Sequence, residues 1–486
     1  MSDTRFMFLN LPNPPGYSVN RGYAGGFGTL VHGSDETLLP IYLLYAASAA
    51  LKAGCDYRVL DAQALRYNSL QVVEAVKTNH PDILISWISL PSMRNDIGIL
   101  THIKNAIPSI LIVALGAVCN VLPEEILISN SIDLIVKGKY PYYKLILNLI
   151  DTFKQKPFGL NAFDKIGAMY RQNGHLVQKL ENIYDEDLNN LSLEAYYQLP
   201  VKRYLSKVTD ARGKIITYIP LLTSIGCPNL CMYCPYPIGY GRMVLYKSIG
   251  KIIEEMEFLK INFNIRGFLF RDQLFTHDQE RVKGLCNSII NRNLNIKWFV
   301  EARVDEVSRE LLHQMKEAGC FRIHYGVETG TPEMLEKEGK PGVQIQTVKN
   351  AFMATKECGI AAAAFMIIGL PGENEATIRN SLNLMHEIRP HNAIFNIATP
   401  YPGTRLYKIA KERGWISTYD WSRYTSFNAL ISTEELNIAQ IAKSTQKITR
   451  DFRNFKLLTD PVFRKIYIMA LIRSMYYRFK IWFNFR

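Results

Sequence analysis

Three cysteines stand within eight residues, in the stretch Ser224-Ile225-Gly226-Cys227-Pro228-Asn229-Leu230-Cys231-Met232-Tyr233-Cys234-Pro235. The C-x3-C-x2-C spacing is too tight for three disulfide partners. Thiolates this close are soft ligands for iron or zinc. A closed zinc site takes four ligands, and a ferredoxin-type cluster takes four cysteines. The local count stops at three. A [4Fe–4S] cube held by three thiolates leaves one iron open to a substrate or cofactor. The competing reading is a zinc loop completed by a distant fourth ligand such as Cys286 or His277.

Such a loop needs a scaffold, and the sequence around it alternates strands and helices. From about 215 to 407, strand-like runs cover Ile215 to Leu221, Gly267 to Phe270, Trp298 to Glu301, Arg322 to Gly326, Ala362 to Gly369 and Ala393 to Ala398. Helical runs lie between them. Six such βα units make a partial (β/α) barrel, whose chemistry belongs at the carboxyl ends of the strands. Asp272, Arg303, Glu328 and Gly369 fall at those ends. Each also has a plain structural reading. Arg303 can pair with Asp305 or Glu301, Glu328 can cap the next helix, and Gly369 to Gly372 can be a turn. His324 lies on an apolar strand and reads as a satisfied core residue, while His277 follows Asp272 closely enough to reach the site.

Residues 1–153 show a second βα alternation, which predicts a doubly wound parallel sheet. Arg5 to Pro12 reads as a buried first strand, followed by a Pro/Gly-rich loop that runs past Gly28. Leu39 to Gly54 reads as a helix, with Ile41, Leu43, Leu44, Ala47 and Leu51 at helical spacing and Gly54 as its stop. Ligands of such sheets sit at strand carboxyl ends, so the loops 12–38, 61–66, 86–94, 116–123 and 137–141 are the ones to watch. Residues 154–214 read as a connector with a β-hairpin around Asn173-Gly174. Residues 408–486 read as an extension ending in a helical tail. The expected fold class is α/β: a doubly wound sheet, then a partial (β/α)6 barrel.

At 486 residues the chain is long enough for two or three domains, and 48% hydrophobic residues fit a globular protein. The eight cysteines do not form a disulfide framework, and five of them (Cys55, Cys119, Cys286, Cys320, Cys358) read as buried small hydrophobes. Met1 to Arg5 lacks a charged-then-apolar signal pattern, and no apolar run is long enough to span a bilayer. The expectation is a cytoplasmic protein. The net charge is +13, and six of the bases (Arg464, Lys465, Arg473, Arg478, Lys480, Arg486) lie in Pro461 to Arg486, which has no acid. No basic-aromatic module points to nucleic acid. The tail's aromatic rings and bases suit peripheral contact with an anionic membrane; the bland alternative is a helix packed on the barrel.

The cysteine stretch resembles the radical S-adenosylmethionine (SAM) superfamily, with Tyr233 where that family carries an aromatic. The resemblance implies a [4Fe–4S] cluster on Cys227, Cys231 and Cys234 that chelates SAM through its open iron. It also implies that Asp272 helps hold SAM's amino group and that Arg303 binds its carboxylate. Glu328 would accept the ribose hydroxyls, and the Gly369 segment would contact adenine. The first half resembles the cobalamin-binding domain that precedes many radical SAM domains, over about 1–150. The matching pieces include Asn10-Leu11-Pro12, Leu39-Pro40, Val59 to Ala62, Leu115-Gly116, Pro123 to Ile126 and Asp133 to Gly138. Cobalamin contacts are thereby expected at Asp61, Gln63, Ser89, Gly116 and Gly138. Three departures stand out: Gln63 replaces the histidine of the cobalt-binding motif, Ala117 replaces a second glycine, and Lys139-Tyr140 replaces an acidic pair. Cobalt would therefore lack a histidine ligand.

Together the resemblances imply reductive cleavage of SAM and methylation of an unactivated carbon of a small or lipid-like substrate, with an electron donor such as flavodoxin or ferredoxin. The alternatives are cobalamin-linked cyclisation, rearrangement or oxygen insertion without methyl transfer, and a non-catalytic cluster- or corrinoid-binding protein. Specificity is expected in the first loop, the connector and the region after 408.

Overall fold

A computed structural model describes residues 4–34, 36–154, 163, 166–172, 175–178, 187–340 and 342–484. Its first sheet is built from β1 (Arg5–Asn10), β4 (Asp56–Asp61), β5 (Ile83–Trp87), β6 (Leu111–Leu115) and β7 (Leu134–Val136), all parallel, in the order β4-β1-β5-β6-β7. β1 and β5 are almost wholly buried. That is why they read as continuous apolar runs rather than alternating ones. The helix Ile41–Ala53 stops at Gly54, whose φ of 63° is the left-handed cap that glycine takes without a Cβ penalty.

Two features depart from the expected purely parallel sheet and irregular first loop. β8 (Ala168–Gln172) and β9 (His175–Gln178) add antiparallel to the edge at β7, so the hairpin expected in the connector belongs to the first sheet. Its turn at 173–174 lies outside the described residues. The loop after β1 is a hairpin of its own, β2 (Tyr17–Asn20) against β3 (Thr29–His32). Residues 188–204 wind in short 3-10 turns over the helix Ile41–Ala53, where Tyr45 donates to Leu188 O at 2.9 Å and Ser192 N to Ser48 Oγ at 2.9 Å.

The second sheet runs β10 (Ser206–Thr209), β11 (Ile215–Leu221), β14 (Gly267–Phe270), β15 (Lys297–Arg303), β16 (Cys320–Glu328), β17 (Ala361–Ile368) and β18 (Asn392–Ile397). Only β10 is antiparallel; the other six follow one another in sequence order as a half barrel. Its outer core is aromatic. Trp298 is fully buried, stacks at 5.2 Å on Phe270, and donates its indole N–H to Ala318 O. Between β11 and β14 a small ladder, β12 (Ser224–Ile225) with β13 (Leu245–Tyr246), closes the base of the cysteine loop.

The helix Ile438–Thr459 packs against β18 and the helix Glu375–Ile388, burying Ile441, Ile448 and Phe452, with Phe452 against Phe395. The last helix, Pro461–Asn484, begins packed: Val462 and Ile466 lie against Gly213, and Lys456 pairs with Asp460. Further along, Ile468, Met469, Leu471 and Ile472 are each about half exposed. Packing on the barrel therefore accounts for the helix's start and not for these residues. Among the described residues no helix is long and apolar enough to cross a membrane.

Candidate active site

The chain enters the cysteine loop through Thr223 and Ser224, and both are clamped by Asp272 at the end of β14. Its carboxylate accepts from Thr223 N at 2.8 Å, from the Thr223 hydroxyl and from Ser224 Oγ at 2.7 Å. Asp272 is fully buried and does not border the cavity described below. It anchors the loop; the expectation that it reaches SAM's amino group does not fit this placement. Strand alternation is the reason. On β14 and just beyond, Arg271 and Gln273 point inward and Asp272 outward. The turn itself requires Gly226, which has φ of 99° and whose missing Cβ would lie 2.0 Å from Met243 O.

Cys227, Cys231 and Cys234 all line one cavity of about 250 Å³ at the carboxyl ends of the barrel strands. Cys227 N donates to Gly241 O and Cys234 N to Cys231 O, both at 3.1 Å, while Asn229 Nδ2 lies 3.6 Å from Cys227 Sγ. Burial pushes all three thiols up, so loading metal must displace protons. Among the described residues no group of three or more His, Cys, Asp or Glu forms a site for one metal ion. Neither proposed fourth zinc ligand joins the site. Cys286 lies on the buried face of the helix Gln279–Asn291, and His277 Nδ1 is 3.0 Å from Glu306.

Charged groups ring the same cavity. Arg303, on β15, meets Asp305 through two hydrogen bonds of 2.9 and 2.7 Å, the rim pairing that its neighbours allowed. Burial acts against the Arg303 charge, but Asp305 and Glu306 together hold its pKa above the usual value. Glu328 ends β16 at a bulge where pairing to β17 shifts after Gly326, and its φ is 68°. A non-glycine residue held there is a strained position of the kind found at ligand clamps. Lys340 fixes it, with Nζ 2.7 Å from Glu328 Oε1 and 2.8 Å from Gly326 O. Nothing in the sequence reading picked out Lys340. Tyr233 lines the cavity too, its phenol pushed well up by burial and by the acids Glu328 and Glu338.

Two cavity groups have no partner among the described residues. His324 Nε2 and Tyr401 Oη are buried without a hydrogen bond. His324 is therefore not a satisfied core histidine. It shares strand parity with Gly326 and Glu328 and faces the same space. Burial and the nearby Arg322 charge pull its pKa down to about 3, which keeps the imidazole neutral. Buried polar atoms without partners are costly, and here they face a cavity that can supply one. The first domain closes this side of the cavity with Tyr23, whose hydroxyl is 3.3 Å from Ser426 Oγ.

Gly369, after β17, lies beside the cavity wall formed by Ile367, and its N–H donates to Glu373. Burial pushes the Glu373 carboxyl up to about 8, against the Gly369 and Leu370 N–H groups that pull it down. A folded-state pKa above the unfolded one gives stability that is full at low pH and is lost as pH rises toward 8. Glu373→Gln keeps a carbonyl acceptor without the charge. Its Tm should match the parent near pH 5 and exceed it at pH 9; a variant that still loses stability in parallel with the parent would count against this assignment.

The five first-domain positions are placed differently. Asp61 accepts from Asn10 Nδ2 at 2.8 Å, Ala64 N at 3.0 Å and Tyr204 Oη at 2.7 Å. Gln63 donates to Val19 O and accepts from Asn10 at 3.2 Å. Ser89 is buried against Ser92 and Asp96, Gly116 against Ile88, and Gly138 is bonded both ways to Asn120. All five are engaged inside the protein and none lines the cysteine cavity, although Gln63 borders a separate small cavity beside Arg21, Tyr42 and Arg271. As placed, they do not fit a ligand's nucleotide tail.

Residues 221–385 match the radical SAM superfamily. The half barrel with its three-cysteine loop is thus a radical SAM domain. The longer chain is similar to an uncharacterized methyltransferase of Pyrococcus horikoshii, 26% identical over 409 residues that cover 84% of this chain and 86% of the relative. It is also similar to the anaerobic magnesium-protoporphyrin IX monomethyl ester cyclase of Cereibacter sphaeroides, 22% identical over 452 residues that cover 90% of this chain and 71% of the relative. Among solved structures, it shares the fold of the cobalamin-dependent S-adenosylmethionine radical enzyme OxsB, solved with aqua-cobalamin and S-adenosylmethionine bound. The TM-score is 0.72 at 17% identity, over 97% of this chain and 71% of that one. The likeness in fold takes in both sheets.

Proposed function

We propose that this chain cleaves SAM reductively at a [4Fe–4S] cluster and, with cobalamin, methylates an unactivated carbon of a small molecule. The observation that carries the reading is convergence: the three thiolates share one cavity with Arg303, Glu328 and Lys340. When bound, the cluster supplies the electron that breaks SAM into methionine and a 5′-deoxyadenosyl radical able to take hydrogen from carbon. The chain's own part is positioning. Arg303 offers a planar fork to SAM's carboxylate. Lys340 holds Glu328 where it can accept hydroxyl protons from a ribose. His324 and Tyr401 bring a neutral imidazole and a phenol to the substrate's side, and the Tyr23–Ser426 contact limits entry of water. A corrinoid would supply the methyl group. The first-domain residues assigned to it by resemblance are engaged elsewhere, so no step is given to them.

The second reading is ring formation without methyl transfer, favoured by the similarity to the cyclase. One assay addresses both. Reduced, reconstituted protein with SAM and cobalamin, added to an extract of its own source cells, should form 5′-deoxyadenosine. Absence of that product would end the radical reading and leave a binding protein. S-adenosylhomocysteine in proportion to product marks methyl transfer, and 5′-deoxyadenosine without it marks the alternative.

The same reading places the protein in the cytoplasm with a flavodoxin- or ferredoxin-like electron donor, and the last helix on the inner face of the membrane. Its support is the half-exposed Ile468 to Ile472 beside Arg464 and Lys465. Bases near anionic lipid contribute about 1 kcal/mol each. Full-length protein should co-sediment with anionic vesicles at low salt and release at high salt, while a chain ending at Asp460 should stay in solution. Equal behaviour of the two would end the idea.

A further inference from the structure

Doubly wound sheets take their ligands where the strand order reverses. In the order β4-β1-β5-β6-β7 the chain winds outward in both directions from the β1–β5 pair. In this protein that switch point is filled by its own side chains. Arg21, from the hairpin after β1, reaches back over the carboxyl ends of both strands. Its guanidinium contacts Asp96 at 2.6 and 2.9 Å, Ser92 Oγ at 3.1 Å and Ser89 Oγ at 3.3 Å. It also bonds Asn10 Oδ1 at 3.0 Å and Leu11 O at 3.4 Å. Arg21 is 5% exposed and Asp96 is fully buried.

The plug is sealed by backbone as well as charge. Leu90 N donates to Phe27 O at 2.7 Å, which ties the hairpin to the loop after β5. A Cβ on Gly28 would lie 2.7 Å from Ser89 Cβ, and one on Gly116 would lie 2.4 Å from Ile88 O. At these two points the hairpin and the loop after β6 each meet the loop after β5 with no room for a methyl group; a larger cavity between the hairpin and Leu90 to Arg94 lies outside the plug. Opening this crevice would part a buried ion pair and leave Asp96 with only Ser89 N and Ser92 Oγ to offset its charge, which is the expensive way to disturb such a pair. A hydrogen-bonded plug of this kind does not give way as an empty apolar pocket would.

We propose that the first domain admits no nucleotide tail at its switch point, so that a corrinoid binds this chain through its ring alone and keeps its tail outside. The inference rests on the corrinoid reading above. It differs from the expectation attached to Asp61, Gln63, Ser89 and Gly116, which placed ligand contacts in this crevice.

The test compares two ligands on full-length, cluster-reconstituted protein. Aquocobalamin carries the nucleotide tail; diaquocobinamide has the same ring without it. Each is titrated anaerobically and followed by corrin absorbance, with equilibrium dialysis as the check on stoichiometry. The expected result is one site for each and dissociation constants that agree within a few-fold. Hydrogen exchange at 17–32 and 89–96 should be unchanged by cobalamin. Cobalamin binding tighter than cobinamide by about tenfold or more, or faster exchange at 17–32 on binding, would overturn the proposal and show that the plug opens. If neither corrinoid binds, the corrinoid reading fails and takes this proposal with it; formation of 5′-deoxyadenosine is judged separately.

Discussion

Alanine at any one of Cys227, Cys231 or Cys234 should abolish SAM cleavage and leave protein without a stable four-iron cluster. Each thiolate would hold a different iron, and the loop has no spare donor. Cys286 and Cys320 are buried in the barrel core, and His277 is paired with Glu306. A cube with two protein ligands has two open irons and is readily lost. Iron and sulfide analysis, with the visible absorbance of the reconstituted protein, measures the loss directly; 5′-deoxyadenosine should fall to background. Cys286→Ala and Cys320→Ala are the matched comparison. They remove one small buried group each, cost on the order of 1–2 kcal/mol of stability, and should keep both cluster and cleavage. A triple variant at 227, 231 and 234 that still held a full complement of iron would show that the assignment is wrong.

Much of this site could be read from residue types and spacing, and what could not has definite physical causes. The barrel strands were legible because each is a short apolar run; Ile215 to Leu221 and Gly267 to Phe270 match the observed β11 and β14 at both ends. The direction in which each side chain points is also implicit in strand parity. Alternation along a strand sends Arg271 and Gln273 one way and Asp272 the other, and puts His324 on the face of Gly326 and Glu328. That alternation keeps Asp272 out of the cavity and puts His324 into it. Contacts made across distant parts of the chain leave no such trace. Arg21 and Asp96 are seventy-five residues apart, and either alone looks like an ordinary surface charge. The hairpin that carries Arg21 was hidden by its glycines and prolines, which read as loop.

Lys340 was missed for a similar reason, and its removal is the most informative single substitution near the cofactor. It follows the helix Pro332–Glu338, and only the fold returns it to the bulge at the end of β16. Lys340 and Glu328 are 6% and 7% exposed. Lys340→Met leaves the Glu328 carboxylate buried without its cation, a loss of about 3–5 kcal/mol where such pairs have been broken. It also removes the bond to Gly326 O that steadies the bulge. The cysteines are untouched, so iron content should stay at the parent level. Hydrogen bonds to a charged acceptor are worth about 1.5–3 kcal/mol. If Glu328 holds the ribose, SAM binding should weaken by about tenfold or more, both in Lys340→Met and in Glu328→Gln. The double variant separates stability from binding. With no carboxylate left to strand, Lys340→Met/Glu328→Gln should recover much of the Tm lost in Lys340→Met, yet remain as weak a SAM binder as Glu328→Gln. Equilibrium dialysis with SAM and thermal melts on iron-replete protein give both numbers. Parent-like SAM affinity in Glu328→Gln would remove this carboxylate from the cofactor site, and a double variant no more stable than Lys340→Met would show that the stranded charge was not the cause of the loss.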